Sequence, residues 1–380
     1  MREGWESCKF ADIFDLQMGK TPSRDNALYW NDENTWLSIA DLNDKKYICE
    51  SKEGISDIAV KESGIKVVPT NTVIMSFKLS IGKTAITTSE VFTNEAIMAF
   101  IEKEKGILKP EFIYYYLKGY KWMGANKAVL GMTLNKKTIS EQIFAYPPLE
   151  EQERIVGELD CLSGVIEKKK EQLKELDALA QSIFYEMFGN PVENDRGWDR
   201  EQLSNLGEIV SGSTPSTTDE TNWGGDVNWV TPAELDVQLY YGETVRKITD
   251  KASKSLTLMP VGTVLLSSRA PIGKMAITTV PMCCNQGFKN IICGDKVNNV
   301  FLYYYLMITM DDIQSLGRGA TFKEVSKKSI CDYKIYLPPL SLQQEFAEKI
   351  ESIEKQKELI RKSIEEVETL FNSRMDYYFG

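Results

Sequence analysis

The chain repeats its own sequence at an interval of about 190 residues, and this repeat constrains the fold more than any other feature. Gly4-Trp5 matches Gly197-Trp198 at an offset of 193 residues, and Ile81-Gly82-Lys83 matches Ile272-Gly273-Lys274 at an offset of 191. Six of the seven tryptophans are paired in this way, and only Trp122 has no counterpart. Solenoid repeats are about 20–50 residues long. The sequence therefore predicts two domain-sized units in tandem, and a partner with approximate two-fold symmetry.

Length and composition are those of an ordinary globular protein. With 380 residues, of which 42% are hydrophobic, the chain is long enough for two to three domains. No apolar run reaches the roughly 18 residues that a membrane span requires, and the first residues lack the apolar core of a signal peptide. The seven cysteines show no Cys-x-x-Cys spacing, which predicts reduced thiols in a cytoplasmic protein.

Several classes of catalytic site are excluded by the residues that the sequence lacks. There is no histidine, which removes histidine-based acid–base chemistry, Ser-His and Cys-His nucleophile pairs and most catalytic zinc sites. There is also no phosphate-binding loop and no dinucleotide-binding glycine motif. The chain is therefore expected to be a non-catalytic reader or scaffold that binds no metal and no cofactor of its own.

The net charge of −10 argues at first against a polyanionic partner. Most of the acid, however, lies in two short segments: residues 149–189 have 5 basic and 10 acidic groups, and residues 340–380 have 6 and 9. Residues 1–148 have 19 of each sign, and residues 190–339 have 15 basic and 17 acidic groups. The two larger segments are thus nearly neutral and are able to present a basic face to phosphate.

Those two larger segments mix strands with helices. Residues 71–77 and 261–268 are rich in β-branched and apolar residues and predict strands, each followed by an Ile-Gly-Lys turn into a second strand. Residues 110–120 and 299–310 predict helices that carry a run of three tyrosines. These aromatic rings, like the paired tryptophans, are expected in the core rather than on a base-stacking surface.

Each half ends in a long helix with an apolar heptad seam. Pro147-Pro148 and Pro338-Pro339 mark the predicted starts, and the apolar positions then recur at alternating steps of four and three residues. The seam is interrupted by Lys169, Lys357 and Arg374, which either fix the register or lie at the seam edge. The seam positions are Ile155, Leu159, Leu162, Ile166, Leu173, Leu176, Ala180, Ile183 and Met187 in the first helix, and Phe346, Ile350, Ile353, Ile360, Ile364, Val367, Phe371 and Tyr378 in the second.

The two helices are expected to pack on each other within one chain, as an antiparallel coiled coil. Two separate homodimeric coiled coils are the alternative. About 41 residues at ~1.5 Å per residue make a helix of roughly 60 Å, or at most about 18 base pairs of B-form DNA. The predicted fold class is α+β, with globular domains at 1–148 and 190–339 and spacer helices at 149–189 and 340–380.

A set of motifs recurs in the same order in both halves and leads each time into the heptad helix. These motifs are the Gly-x-Thr-Pro-Ser loop at 19–23 and 212–216, the Ile-Gly-Lys hairpin followed by Asn94 or Asn285, the Gly-x-Thr at 131–133 and 319–321, and the Pro-Pro-Leu segment with Gln152 or Gln343. In this arrangement the chain resembles the specificity subunit of Type I restriction–modification enzymes over essentially its whole length.

The resemblance implies a division of labour. Each globular part would be a target-recognition domain that reads one half of a bipartite, asymmetric site on double-stranded DNA, and the helices would be the spacers between them. The chain itself would do no chemistry. It would hold two methyltransferase subunits that use S-adenosylmethionine, together with restriction subunits that use ATP.

Candidate DNA-binding residues follow from the chemistry of phosphate and base contacts, which need basic, hydroxyl or amide groups. The best phosphate candidates are the matched positions that are basic in both halves, Lys78 with Arg269 and Lys83 with Lys274. Base-specific contacts are expected where the halves diverge, in 43–70, 121–130, 236–258 and 311–328. The Thr-Pro-Ser loops have an equally weighted alternative as turns capped by hydroxyl groups. The candidates are Lys20, Thr21, Ser23, Arg24, Lys78 and Lys83 in the first half, and Thr214, Ser216, Arg269, Lys274, Arg318 and Lys323 in the second.

Two further functions compete with DNA recognition. A coiled-coil scaffold or adaptor without any nucleic-acid role is favoured by the net charge of −10. An enzyme in its own right, such as a nuclease or a methyltransferase, is disfavoured because the chain lacks histidine and any cofactor motif.

Overall fold

The computed structural model describes residues 4–43, 45–123, 126–128, 131–236, 238–269, 271–317 and 324–380, with the backbone alone for 126–128 and 131–133. The chain forms two compact units. The first consists of Met1–Lys169 and Ser363–Gly380, and the second of Lys170–Lys362. Both long helices therefore contribute to both units. The domain boundaries predicted from the sequence follow the helix ends instead, and they remain a prediction.

The first unit contains short strands and helices followed by the first long helix. Its strands are β1 (Glu6–Lys9), β2 (Phe14–Met18), β3 (Trp30–Leu37), β4 (Tyr47–Ile48), β5 (Glu53–Ile55), β6 (Val73–Ser76), β7 (Lys78–Leu79), β8 (Thr84–Thr87), β9 (Phe92–Thr93), β10 (Ile97–Glu102), β11 (Asn126–Ala128), β12 (Gly131–Thr133) and β13 (Ile143–Tyr146). Its helices are α1 (Phe10–Ile13), α2 (Asp57–Ser63), α3 (Pro110–Gly119), α4 (Lys136–Glu141) and the start of α5 (Leu149–Phe188).

The second unit repeats this order of elements. Its strands are β14 (Arg200–Gln202), β15 (Gly207–Ser211), β16 (Trp223–Val230), β17 (Tyr240–Tyr241), β18 (Lys247–Ile248), β19 (Val264–Leu266), β20 (Met275–Thr278), β21 (Met282–Cys284), β22 (Lys289–Cys293) and β23 (Lys334–Tyr336). Its helices are α6 (Leu203–Leu206), α7 (Asp250–Ser253), α8 (Asn299–Ile308), α9 (Met310–Ser315), α10 (Lys327–Asp332) and the start of α11 (Leu340–Phe379).

Two sheets have the same topology in both units, and a further three-stranded sheet, β11-β12-β7, is described in the first unit alone. A five-stranded sheet has the order β2-β10-β6-β8-β4 in the first unit and β15-β22-β19-β20-β17 in the second. A three-stranded sheet has the order β5-β3-β9 in the first and β18-β16-β21 in the second. In each of these two matched three-stranded sheets, one outer strand is antiparallel and the other parallel to the central strand. The duplication seen in the sequence is therefore a duplication of architecture.

The central strand of each five-stranded sheet is buried on both faces. Val73 and Met75 of β6 face a cluster that includes α3, whereas Ile74 faces a separate cluster behind the sheet. In β19, Val264 and Leu265 divide in the same way. A strand covered on both sides needs apolar residues at every position, which explains the unbroken apolar runs in the sequence.

The tyrosine runs lie in the core, as predicted. Tyr115 of α3 is 2% exposed, and the other five tyrosines of the two runs are also buried. Proline at the first position of α3 suits the start of a helix because that position has no intrahelical partner for its N–H group. In α8 the side chain of Asn298 performs the capping instead, by accepting from the N–H groups of Val300 and Phe301.

The two long helices run antiparallel, which confirms the predicted intramolecular pairing. Within the first unit, Glu158 of α5 forms an ion pair with Arg374 of α11 at 2.5 Å. Within the second unit, Asp177 of α5 pairs with Lys357 of α11 at 2.7 Å. As α5 advances from 158 to 177, its partner on α11 therefore moves backwards from 374 to 357. Lys357 and Arg374 each hold a carboxylate of the opposite helix, which favours a role in fixing the register.

Burial along the helices follows the heptad seam over most of its length. Near the end of each helix, however, the buried position moves by one residue. Phe184, not Ile183, is fully buried, and the matched residue Met375 is buried in place of Arg374. Of the predicted seam residues, Ile155, Leu159, Ala180, Phe346, Ile350, Ile353, Ile364 and Tyr378 are buried, and Leu162, Ile166, Leu173, Leu176, Ile183, Met187, Ile360, Val367 and Phe371 are half-buried.

Candidate nucleic-acid interface

The Thr-Pro-Ser loop of the first unit is fastened to a pair of tryptophans. The indole N–H of Trp30 donates to the carbonyl of Ser23, and that of Trp36 donates to the carbonyl of Lys20, each at 3.1 Å. The two rings lie edge to face, with centroids 5.1 Å apart and planes at 87°. Because Trp36 is 2% exposed, the loop is anchored to the core of the unit.

The second unit builds the same support. Trp223 and Trp229 donate to the carbonyls of Ser216 and Ser213 at 3.1 Å, and their rings lie 5.0 Å apart at 87°. Trp229 is buried, like its counterpart in the first unit, so the inner tryptophan of each pair lies in the core as predicted. The name tryptophan platform is used below for Trp30 with Trp36 and for Trp223 with Trp229.

The loop hydroxyls are partly engaged within each unit. Thr21 donates to the Glu95 carboxylate, and Thr214 donates to Gln286 at 2.5 Å. Ser23 and Ser216 are exposed, although the Ser216 hydroxyl lies 2.9 Å from that of Thr218. These contacts favour the interpretation of the loops as structural turns, and a DNA-binding role for these four residues remains a prediction.

The two basic residues of the first loop are also held by the protein. The Arg24 guanidinium lies 3.7 Å from the centroid of the Trp30 ring and donates two hydrogen bonds, of 2.6 and 2.9 Å, to the two carboxylate oxygens of Glu53. The guanidinium lowers the pKa of Glu53 below its ordinary value, which further favours the ionised carboxylate. Lys20 donates to the carbonyl of Ser63 at 2.5 Å.

An arginine that sequence reasoning missed occupies the equivalent place in the second unit. The Arg246 guanidinium lies 3.7 Å from the centroid of the Trp223 ring and 5.3 Å from that of Trp229. Arg246 falls in the divergent segment 236–258, but it has no basic counterpart in the first half, where the matched residue is Glu53. A search for charge reversals between matched positions, instead of for shared basic residues, would have found it.

A second basic region surrounds the Ile-Gly-Lys hairpin of the first unit. The Ser76 hydroxyl accepts from the Lys83 N–H at 3.1 Å and donates to the carbonyl of Ser80, while Gly82 takes the positive φ of 90° that the turn requires. Lys83 is exposed and Lys78 is half-buried. Among the side chains that the structure describes, neither lysine forms an ion pair.

The matching hairpin of the second unit has one of its two candidate cations paired with a carboxylate. Arg269 forms an ion pair with Glu324 at 3.0 Å, and the nearly buried ammonium of Lys289 lies 3.5 Å from the same carboxylate. Lys274 donates to the carbonyl of Leu235 at 2.6 Å. The remaining two candidates of this unit, Arg318 and Lys323, lie outside the described residues.

The residues that the structure describes include neither a membrane-spanning helix nor a cluster of metal ligands. No helix in these ranges is both long enough and apolar enough to cross a membrane. Nor do the described ranges contain a group of three or more histidine, cysteine, aspartate or glutamate side chains able to hold a metal ion.

Comparison with known proteins places the same domain in both halves. The family described as "Type I restriction modification DNA specificity domain" matches residues 2–178 and again residues 195–369. The Type I restriction enzyme MjaIX specificity subunit of Methanocaldococcus jannaschii is 39% identical over 180 residues, covering 44% of this chain and 42% of its own. The putative type I restriction enzyme MjaX specificity subunit of the same organism is 26% identical over 313 residues, covering 76% and 72%.

Solved structures share the fold over the whole chain. A chain from a structure of the assembly and conformational transition of a type I R-M system has a TM-score of 0.63 at 18% identity, covering 100% of this chain and 98% of its own. The crystal structure of the S subunit of a Type-I restriction-modification system from M. genitalium has a TM-score of 0.54 at 14% identity, covering 98% and 95%.

Proposed function

This chain belongs to the Type I restriction–modification DNA specificity family, as its repeated motifs predicted, and we propose that each of its two units reads one half of a bipartite, asymmetric site on double-stranded DNA. The observation that carries the proposal is the pair of family domains, at 2–178 and 195–369, built on one framework with different surface charges. Two readers that share a framework and differ at the surface suit two half-sites of different sequence.

The helices support the second part of the proposal, which is assembly. Each 40-residue helix runs through both units, so a partner that binds the helix pair would be coupled to both DNA readers. We propose that two methyltransferase subunits bind there and supply S-adenosylmethionine chemistry, and that restriction subunits with their ATP join the same assembly. The chain itself would be non-catalytic, and work on DNA implies a cytoplasmic location.

A domain exchange tests the proposal. Residues 190–339 are replaced by the matching segment of a relative, and methylated sites are mapped by sequencing the methylome of a strain that expresses the chimera with the methyltransferase. One half of the methylated sequence is expected to change while the other half is kept. The unexchanged chain is the control. A change in both halves would contradict independent readers.

The salt dependence of DNA binding distinguishes DNA recognition from the alternative of a scaffold without a nucleic-acid role. The chain in complex with its methyltransferase is expected to lose affinity for duplex DNA steeply as salt rises from about 50 to 200 mM, because phosphate contacts release counterions. Absence of DNA binding, or binding that ignores salt, would favour a scaffold without a nucleic-acid role.

A further inference from the structure

The two tryptophan platforms hold an arginine at the same place from different points on the backbone. At the offset of 193 residues, Arg24 of the first unit matches Thr217, and Arg246 of the second matches Glu53. Both guanidinium groups nevertheless lie 3.7 Å from the outer tryptophan ring of their own unit. Both units therefore place an arginine over the outer tryptophan ring, although the two arginines come from positions that do not match in the sequence repeat.

Arg246 is held more firmly by its backbone than its side-chain exposure suggests. Its carbonyl accepts from the Trp229 N–H at 3.2 Å and from the Thr244 hydroxyl at 2.7 Å. Its guanidinium is stacked on Trp223, which keeps the planar group flat against the ring by cation–π attraction. The edge of a stacked guanidinium remains available to donate two parallel hydrogen bonds to an oxyanion.

The first unit shows which kind of group such an edge binds. There the edge of Arg24 is occupied by both oxygens of the Glu53 carboxylate. In the second unit, no carboxylate of the described residues forms an ion pair with Arg246, because Arg246 itself stands where Glu53 stands in the first.

The sequence segment around Arg246 is also more basic than the matched segment around Glu53 in the first unit. Residues 50–65 carry two basic and four acidic groups, whereas the matched residues 243–258 carry four basic and two acidic groups. The segments have the same local structure: Ser56 and Thr249 cap their helices and donate to the carbonyls of Leu28 and Thr221. One framework thus carries an acidic segment in the first unit and a basic one in the second.

We propose that Arg246, stacked on Trp223, binds a backbone phosphate of DNA in the second unit, and that the first unit lacks this contact because Glu53 occupies the edge of Arg24. A phosphate is the oxyanion that DNA offers, and a guanidinium edge binds it with the same two-bond geometry as a carboxylate. The inference rests on the proposed function, since it assigns a contact within the DNA-reading surface.

The test measures the salt dependence of binding to a mixed-sequence DNA duplex by the full chain in complex with its methyltransferase. The slope of log K against log salt is negative, and in Arg246→Ala its magnitude is expected to decrease by about 0.9. The loss of affinity between about 50 and 200 mM salt should then be about threefold smaller than in the unsubstituted complex. Arg246→Lys is expected to keep the slope, because a lysine also neutralises a phosphate. Thermal unfolding of each variant verifies that the second unit is intact.

The matched control removes the neutral pair of the first unit. Arg24→Ala combined with Glu53→Ala is expected to leave the slope unchanged. Glu53→Gln alone should increase the magnitude of the slope by about 0.9, because the Arg24 guanidinium is then free to bind a phosphate. An unchanged slope in a folded Arg246→Ala complex would overturn the proposal. So would a variant that keeps the slope but changes the preferred sequence, since that identifies a base contact. If the unsubstituted complex shows no salt-dependent binding, the proposed function itself fails.

Discussion

The two units of this chain share their framework and differ in where they leave a basic side chain without an ion pair. In the first unit, Glu53 neutralises Arg24 on the tryptophan platform, while Lys78 and Lys83 lie at the hairpin. In the second unit no described carboxylate pairs with Arg246 on the platform, while Glu324 pairs with Arg269 at the hairpin and Lys274 donates to a backbone carbonyl. Equal architecture therefore presents basic side chains without a described ion pair at unequal places.

This difference shows how a duplicated fold can acquire two recognition surfaces. The hydrogen bonds that support the platform, from the indole N–H groups to the loop carbonyls, are the same in both units. The ion pairs that differ are largely exposed, and exposed pairs contribute only about 0–1 kcal/mol to stability. Charges at the surface can therefore be exchanged while the framework is retained.

The largest expected inequality between the units concerns the polar pairs of the helices. The Lys357 side chain is 6% exposed and binds both Asp177 and Glu354, whereas Arg374 is 43% exposed in its pair with Glu158. Removing Lys357 leaves the nearly buried Glu354 carboxylate with only the longer ion pair to Arg361, at 3.8 Å, and about 3 kcal/mol of unfolding free energy should be lost in Lys357→Ala. Arg374→Ala should lose less than about 1 kcal/mol. Urea unfolding of both variants measures the difference.

An exposed lysine of the same helix provides the control for this comparison. Lys355 pairs with Glu351 at 2.9 Å, but its side chain is 71% exposed, so Lys355→Ala should scarcely change the free energy of unfolding. Similar losses in Lys357→Ala and Arg374→Ala would show that the two helix pairs are equivalent, against the comparison drawn here.

A smaller inequality is expected in DNA binding by the hairpins. Replacing Lys78 and Lys83 together by alanine should decrease the magnitude of the slope of log K against log salt by about 1.8. The loss of affinity between about 50 and 200 mM salt should then be about tenfold smaller than in the unsubstituted complex. Replacing Arg269 and Lys274 together should lower the magnitude of the slope by only about half as much, because Glu324 already pairs with Arg269 whereas Lys274, bonded to a neutral carbonyl, keeps its charge. Titration of a mixed-sequence duplex with both variants in complex with the methyltransferase gives the two slopes. Equal decreases would remove the distinction between the hairpins.

The sequence predicted the repeated architecture because the signals for it are local or periodic. The apolar strand runs, the helix starts at paired prolines and the heptad seam each depend on neighbours within a few turns. The one-residue move from Ile183 to Phe184 could not be predicted in this way. A heptad pattern describes packing against a partner helix, whereas Phe184 also packs on the globular core, with its ring centroid 5.8 Å from that of Phe301.

The candidate DNA-binding residues were harder to predict for a related reason. A basic residue is available to DNA only if the fold places no carboxylate beside it, and that carboxylate comes from a distant part of the sequence. Glu53 reaches Arg24 across 29 residues, and Glu324 reaches Arg269 across an isolated β-bridge. The search for basic residues shared by the two halves selected Arg269 and passed over Arg246, although the structure neutralises the first and leaves the second on the surface.

The smallest expected effect on DNA binding comes from removing the Glu324 carboxylate, which pairs with Arg269 at the hairpin of the second unit. In Glu324→Gln, the Arg269 guanidinium loses its carboxylate partner and can bind a phosphate, so the magnitude of the slope of log K against log salt should increase by about 0.9. The loss of affinity between about 50 and 200 mM salt should then be about threefold larger than in the unsubstituted complex. The midpoint of thermal unfolding should fall at the same time, because the Lys289 side chain is only 9% exposed and loses its anion. Glu90→Gln removes an equal charge from an exposed position of the first unit, and its slope should stay near that of the unsubstituted chain. If Glu324→Gln and Glu90→Gln increase the magnitude of the slope equally, general charge rather than the Arg269–Glu324 pair governs binding at this hairpin.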